Sequence, residues 1–242
     1  MREVRRDGSR FRLTTDGGSV VADRVVYASN GYSHLLPALQ AKQTPAFAYI
    51  IVTEKLSDKQ RAAIGWAGRE GIEDARNFMH FYRLTPDGRL LVGGGPGLVP
   101  YAGDMDNDAY PTAWEHLEGF LAETFPALKS LRIDYRWGGA FSVTPNSTPQ
   151  VGTLDGGRAV YAIGCTGHGI ALTLMNGRII RDLVLDRKTE LTDLWFVNRR
   201  SWPMPPEPVR SAAVKAVTTA MKFDDWWHDR GKTIWHREKK PC

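Results

Sequence analysis

The feature that most constrains this chain is a strand, a glycine-rich turn and a helix in immediate succession. Ala159-Val160-Tyr161-Ala162-Ile163 is apolar and suited to extended structure. Gly164-Cys165-Thr166-Gly167-His168-Gly169 follows, and from Ile170 to Val184 the apolar residues recur at helical spacing. Three glycines in six positions let backbone approach a neighbour closely, and the unpaired N–H groups of the helix N-terminus carry roughly half a positive charge. Negative charge is favoured in front of such a terminus. The segment is therefore either a ligand-facing loop or a tightly packed strand-to-helix turn. Its glycines read GxxGxG rather than GxGxxG, and no acidic residue closes a second strand about 20 residues on, which excludes an ordinary dinucleotide pyrophosphate loop.

The rest of the chain alternates extended runs with a few helices. Residues 10–28 read as a hairpin turning at Asp16-Gly17-Gly18, followed by a buried strand, Val20 to Ala28, that stops at Ser29-Asn30-Gly31. Small residues and a glycine there suit close approach to another strand or to a ligand. Residues 46–54 are β-rich, and Ser57 is placed to cap a short helix. Asn77 to Leu84 and Arg89 to Gly93 flank Thr85-Pro86-Asp87-Gly88, which predicts an antiparallel hairpin. Pro111 to Phe125 has Trp114, Leu117, Phe120, Leu121 and Phe125 at helical spacing, and Pro126 closes it. Residues 131–163 are mostly extended, Trp202 to Pro208 is a proline-rich linker, and Val209 to Met221 is one more helix.

Composition narrows the classes of function. The 242 residues, 42% hydrophobic and 24% charged, are those of a soluble globular protein able to bury a sizeable core. The formal charge of +5 gathers at the two ends, in Arg2 to Arg12 and Arg230 to Lys240. No basic stripe interleaves with aromatics, so a nucleic-acid partner is not expected. Cys165 and Cys242 are far apart and in unlike contexts, giving neither a disulfide framework nor a metal-ligand spacing, so no metal is expected. No apolar leader begins the chain and no run approaches the roughly 18 apolar residues of a membrane span. The expectation is a cytoplasmic protein without a membrane partner.

Several linked motifs resemble one family in order along the chain. They are Val25 to Ser33, Trp66-Ala67-Gly68-Arg69-Glu70-Gly71, Asp74 to Asn77, Phe81 to Gly95, Trp137-Gly138-Gly139, Thr144 to Gly152, and Gly164 to Gly177. Together they are similar to the C-terminal half of FAD-dependent oxidoreductases of the D-amino-acid oxidase (DAO) superfamily, in its gamma-glutamylputrescine oxidoreductase-like branch. The resemblance implies an α+β / α/β fold: a partial, Rossmann-like FAD-binding domain plus a mixed, largely antiparallel substrate-domain sheet with helices. It divides the chain into residual FAD-domain strands (1–36), a substrate domain (37–135), a return segment (136–190) and a C-terminal linker and helical tail (191–242). Members begin with a GxGxxG unit that has no counterpart here. The chain is thus expected either to be completed by another chain or a homo-oligomer, or to be a truncated homologue without autonomous FAD binding.

The resemblance also implies the site. FAD would be held by Ala28, Ser29, Asn30, Gly31, Gly164, Thr166, Gly167, His168, Gly169 and Ile170, with the helix N-terminus near the pyrimidine edge of the flavin. The implied reaction oxidises a CH–NH donor by hydride transfer. Ala140-Phe141-Ser142-Val143 stands where amino-acid-oxidising relatives carry an arginine, so a small-molecule amine is expected rather than an α-amino acid. His168 either acts at the flavin and amine or serves as a capping residue. Cys165 is either a flavin attachment point or a small buried residue. His80 and Tyr82 share one face of a strand, with Met79, Phe81 and Arg83 on the other. His80, Tyr82 and Arg83 are therefore candidates for lining the substrate cavity. The alternative is a half-buried strand with a polar outer face. Trp226, Trp227 and Trp235 are expected to cover core or edge.

Overall fold

The computed structural model describes residues 2–66 and 68–230. Its elements in chain order are β1 (Glu3–Asp7), β2 (Arg10–Thr15), β3 (Gly18–Ala22), β4 (Val25–Tyr27), β5 (Thr44–Lys55), α1 (Asp58–Ile64), β6 (Ile72–Glu73) and β7 (His80–Leu84). They continue with β8 (Arg89–Gly94), α2 (Pro111–Thr124), β9 (Ile133–Val143), β10 (Gln150–Leu154), β11 (Ala159–Ile163), α3 (Gly169–Val184) and α4 (Val209–Asp229). Two compact units result: residues 1–47, 98–107 and 139–206, and residues 48–97, 108–138 and 207–242. The division falls within β5 and β9, each of which begins in one unit and ends in the other. A continuous strand carries the chain across at each of these two points.

The first unit holds two small sheets. β1, β2 and β3 form an antiparallel sheet that turns through Gly8 and through Asp16-Gly17, where Gly18 has φ +141°. The expected single strand over residues 20–28 is two strands in two sheets, since the chain turns at Asp23-Arg24. There Asp23 pairs with Arg10 at 2.9 Å and Arg24 with Asp186 at 2.5 Å. β4 buries Val25 and Tyr27, whereas Val20 and Val21 of β3 stand 60% and 43% exposed. In the second sheet, ordered β10-β11-β4, β11 runs antiparallel to β10 and parallel to β4, with Val25 opposite Ala159 and Tyr27 opposite Tyr161. Phe11, Val25, Tyr27, Leu39, Ala159, Tyr161 and Ile163 form one core, and Ile179 of α3 packs with Val151 and Phe196 in another. Burying each large apolar side chain contributes about 2 kcal/mol. These cores fix the strand β11 and the helix α3 on either side of the glycine turn.

The second unit is built on a five-stranded sheet ordered β6-β7-β8-β5-β9. The β7–β8 hairpin forms at Thr85 to Gly88 as expected, with Leu84 opposite Leu90. The strand does not begin at Asn77, however. Residues 74–79 are a loop gathered around the Asp74 carboxylate, which accepts the backbone N–H groups of Arg76 and His80. α1 opens with a reciprocal Ser57–Gln60 capping box and closes at Gly65 with φ +64°. α2 turns Ala113, Leu117 and Leu121 inward, the four-residue spacing of a core-facing stripe.

α4 runs to Asp229, eight residues beyond the expected end at Met221. Its last two turns are held by their carboxylates. Asp225 accepts the N–H groups of Asn77 and Phe78, Asp224 accepts the Asn77 amide, and Asp229 pairs with Arg76 at 3.0 Å. Trp226 and Trp227, expected to cover core or edge, lie outside the core at 49% and 58% exposure, with the Arg230 guanidinium 3.8 Å from the Trp226 ring centroid. Trp235 lies outside the described residues. Among the described residues no helix is long and apolar enough to cross a membrane.

Candidate functional site

In the first unit, β11 delivers the chain into the glycine turn and α3 leaves it. Gly164, Thr166 and Gly167 have φ of +78°, +46° and +85°, so three of four consecutive residues are left-handed. The glycines serve different ends. A Cβ on Gly164 would stand 2.6 Å from Thr144 Cγ2 and 2.9 Å from the Thr148 carbonyl oxygen, so that glycine is a packing requirement. A Cβ on Gly167 would meet nothing within 4 Å, so that glycine satisfies backbone conformation on an open side. Among the described residues no side chain caps α3, and the amides of Gly167, Gly169, Ile170 and Ala171 have no acceptor. Four unpaired N–H donors and a helix terminus form a cradle for an electron-rich group.

The turn is tied to the end of β4. Asn30, itself at φ +45°, accepts the Ser142 backbone N–H and the Cys165 thiol, each at 3.2 Å through Oδ1. Gly31 has no room for a side chain, since its Cβ would lie 2.9 Å from that of Ala140, so it answers to the neighbouring strand. Residues 28–31 and 164–170 are thus brought together. Ser142, which joins them, and Gln43, which supports it, are the residues that strand and helix patterns miss. Both are fully buried, and no motif around either announces it.

His168 sits at the helix entry with its ring exposed, and Nδ1 lies 3.0 Å from the Thr166 carbonyl oxygen. It fastens the turn to itself and makes no side-chain cap. Cys165 is buried and engaged with Asn30. Ile170 is 93% exposed and Leu174, one turn on, 76%.

His80, Tyr82 and Arg83 belong to the second unit. His80 is buried among residues of that unit. Its Nδ1 donates to Asp74 at 2.8 Å, its Nε2 lies 2.9 Å from His116 Nε2, and its ring lies flat on Phe120 at 3.9 Å between centroids. With centroids 5.1 Å apart, the two imidazoles meet end on in a nearly common plane, one N–H donating to the other's lone pair. Gly95 makes the room: its Cβ would lie 2.8 Å from His116 Cδ2 and 3.1 Å from His80 Nε2. Tyr82 joins Trp66, Phe120 and Phe125 in an aromatic cluster, and Arg83 is exposed.

Burial of the two imidazoles pushes both pKa values down from 6.5; the Asp74 carboxylate counters this at His80, and the neighbouring His80, Lys222 and Arg76 reinforce it at His116. Burial works against ionisation of Asp74, yet the hydrogen bonds from His80 and Arg76 prevail and hold its carboxyl below 3.8.

Comparison with known proteins accords with this geometry. The sequence profile of the family described as FAD dependent oxidoreductase (DAO) matches residues 1–183. Gamma-glutamylputrescine oxidoreductase of Escherichia coli is 37% identical over 196 residues, covering 80% of this chain and 43% of that protein. Glycine oxidase from Geobacillus kaustophilus superposes with a TM-score of 0.67 at 21% identity, covering 83% of this chain and 51% of that one. L-proline dehydrogenase from P. horikoshii gives 0.66 at 20%, covering 81% and 52%. The chain spans about half the length of these relatives.

Proposed function

The chain belongs to the DAO family of FAD dependent oxidoreductases, and from that membership we propose that it forms the flavin-facing and substrate-domain part of an enzyme oxidising a small-molecule amine. The observation that supports the reading most is the cradle at residues 164–171, where four amides that have no acceptor among the described residues stand at a helix terminus that none of those residues' side chains caps, beside an open side at Gly167. A ring edge that accumulates negative charge fits such donors, and preorganised donors of this kind are a major source of catalysis. Ala28 to Gly31 and Gly164 to Ile170 would hold FAD, which when bound takes up a hydride from the carbon beside the substrate nitrogen. The chain's own work is to fix the cradle through Asn30 and Ser142, offer hydrogen bonds to the flavin rim, and bring the exposed ring of His168 to the helix entry.

An amine is favoured over an α-amino acid because no arginine stands among Ala140 to Val143 to pair with a carboxylate. In this reading residues 1–36 and 136–190 are parts of the FAD domain, 37–135 is the substrate domain, and the protein acts in the cytoplasm.

A second reading, a homologue that depends on a partner chain or another copy of itself, is supported by a separate observation. Among the described residues β4 is an open sheet edge carrying Val26 at 44% exposure, and Ile170 and Leu174 are bare. The test is turnover by the purified chain supplied with FAD and a dye acceptor. The expected result is a kcat/KM for primary and secondary amines at least about tenfold above that for their α-carboxylated counterparts, the cost of leaving one carboxylate unpaired. Preference for the amino acids would overturn the substrate assignment, and absence of turnover despite bound FAD would favour the partner-dependent reading.

A further inference from the structure

We propose that Ser142 is the positioning residue of the glycine turn, setting the backbone that faces the flavin through its hydroxyl; this rests on the reading that residues 164–171 meet that group. Ser142 lies in the part of β9 that belongs to the first unit and is completely buried. Its backbone N–H donates to Asn30 Oδ1 at 3.2 Å, and its carbonyl accepts the Thr166 N–H at 3.0 Å. Its hydroxyl oxygen accepts the Gly164 N–H at 2.8 Å and is hydrogen-bonded to the Gln43 side-chain amide at 2.9 Å. One residue thus holds both ends of the left-handed run, Gly164 by the side chain and Thr166 by the main chain.

The Gln43 amide is oriented by its own neighbours. With its nitrogen toward Ser142 it also donates to the Thr44 carbonyl at 3.0 Å, while its oxygen accepts the His34 N–H at 2.7 Å. The serine hydroxyl is then held as an acceptor. This makes the Gly164 contact specific: a residue with φ +78°, packed on Thr144 and Thr148, presents its N–H to a fixed oxygen. The amides of Gly167 to Ala171 follow within one turn of chain, so their direction depends on how residues 164 and 166 are pinned.

The division of labour between side chain and main chain supplies the test. Ser142→Ala removes the acceptor of the Gly164 N–H and leaves the carbonyl that accepts from Thr166. Amide exchange read residue by residue in the purified chain is expected to quicken about tenfold at Gly164 and to stay within about twofold at Thr166. Ser142→Thr, which keeps the hydroxyl, should restore most of the protection. Flavin fluorescence quenching, read in the same variants, should show FAD bound about tenfold more weakly by Ser142→Ala than by wild type.

Unchanged exchange at Gly164, or equal release of Gly164 and Thr166, would overturn the positioning role. Release of Gly164 alone with FAD affinity equal to that of the wild type would keep the structural link and sink the assignment of the turn to the flavin. If Ser142→Ala does not fold, Gln43→Glu, which alters the partner that orients the hydroxyl, puts the same question: Gly164 must change protection and Thr166 must not.

Discussion

Gly94→Ala is expected to destabilise the protein by about 2–5 kcal/mol, the sum of roughly 1–2 for a side chain in left-handed backbone and 1–3 for forced overpacking. Gly94 ends β8 at φ +94°, and a methyl group there would sit on the carbonyl oxygen of Met79. That carbonyl cannot retreat without cost, because it accepts the Gly95 N–H at 2.9 Å at the point where β7 begins. The neighbouring glycines are committed too: a Cβ on Gly93 would strike the Phe81 ring, and one on Gly95 the imidazole pair. Urea unfolding measures the effect. A loss under about 1 kcal/mol would mean that the hairpin end is softer than its contacts imply.

The second large effect centres on Asp74. Its carboxylate accepts four hydrogen bonds, from the backbone N–H groups of Arg76 and His80, the His80 ring at 2.8 Å and the Arg76 guanidinium at 2.6 Å. Asp74→Ala leaves the buried His80 Nδ1–H and the backbone amides of Arg76 and His80 without the acceptor they share, at a cost of about 3 kcal/mol. The intact cluster also makes stability fall in acid. His80 and His116 are favoured neutral in the fold, with pKa values lowered from 6.5. The unfolded chain therefore takes up more protons below pH 6.5, and stability is lost as the pH falls from there. Asp74, held below 3.8, adds a second loss only below that value.

The charges facing the imidazole pair are Asp74 and Arg76 from the loop, Lys222 and Asp225 from α4 and Glu123 from α2. The two rings meet nitrogen to nitrogen, so one shared proton fits and a second forces them apart. The urea midpoint should drop between pH 7 and pH 5 in wild type and drop less in His116→Gln, which keeps a donor but does not titrate. Equal slopes would show that the pair does not govern the acid response.

The parts of the fold legible in the sequence were those set by local chemistry. The Ser57 cap, the turn at Thr85 to Gly88, the stripe of α2 and the strand, turn and helix over 159–184 each follow from residues close in sequence. What was not legible depended on partners far along the chain. α4 continues past Met221 because Asp224, Asp225 and Asp229 find Asn77, Phe78 and Arg76 across roughly 150 residues of sequence, a pairing that helical periodicity does not report. The strand over residues 20–28 breaks because Asp23 and Arg24 pair outward, although the apolar pattern on either side favours continuation.

The same contrast holds at the site. The turn at Gly164 was visible as a motif, and Asn30 was visible as a polar residue ending a strand. Ser142 carried no motif and emerged only from three-dimensional contacts. His80 was singled out for its place on a strand, but its partner His116, on a helix 36 positions later, could not be read from that strand.

The measurement that bears most directly on the account is equilibrium titration of the purified chain with FAD, comparing wild type with Gly167→Asp and Gly167→Asn. A Cβ at position 167 meets nothing within 4 Å, and aspartate and asparagine tolerate left-handed backbone comparably. They differ by one negative charge placed before the unpaired amides. Saturable binding is expected for wild type, with a modest loss for Gly167→Asn and a loss at least about tenfold greater for Gly167→Asp. Equal affinity in the aspartate and asparagine variants would contradict the claim that these amides face the flavin's electron-rich edge.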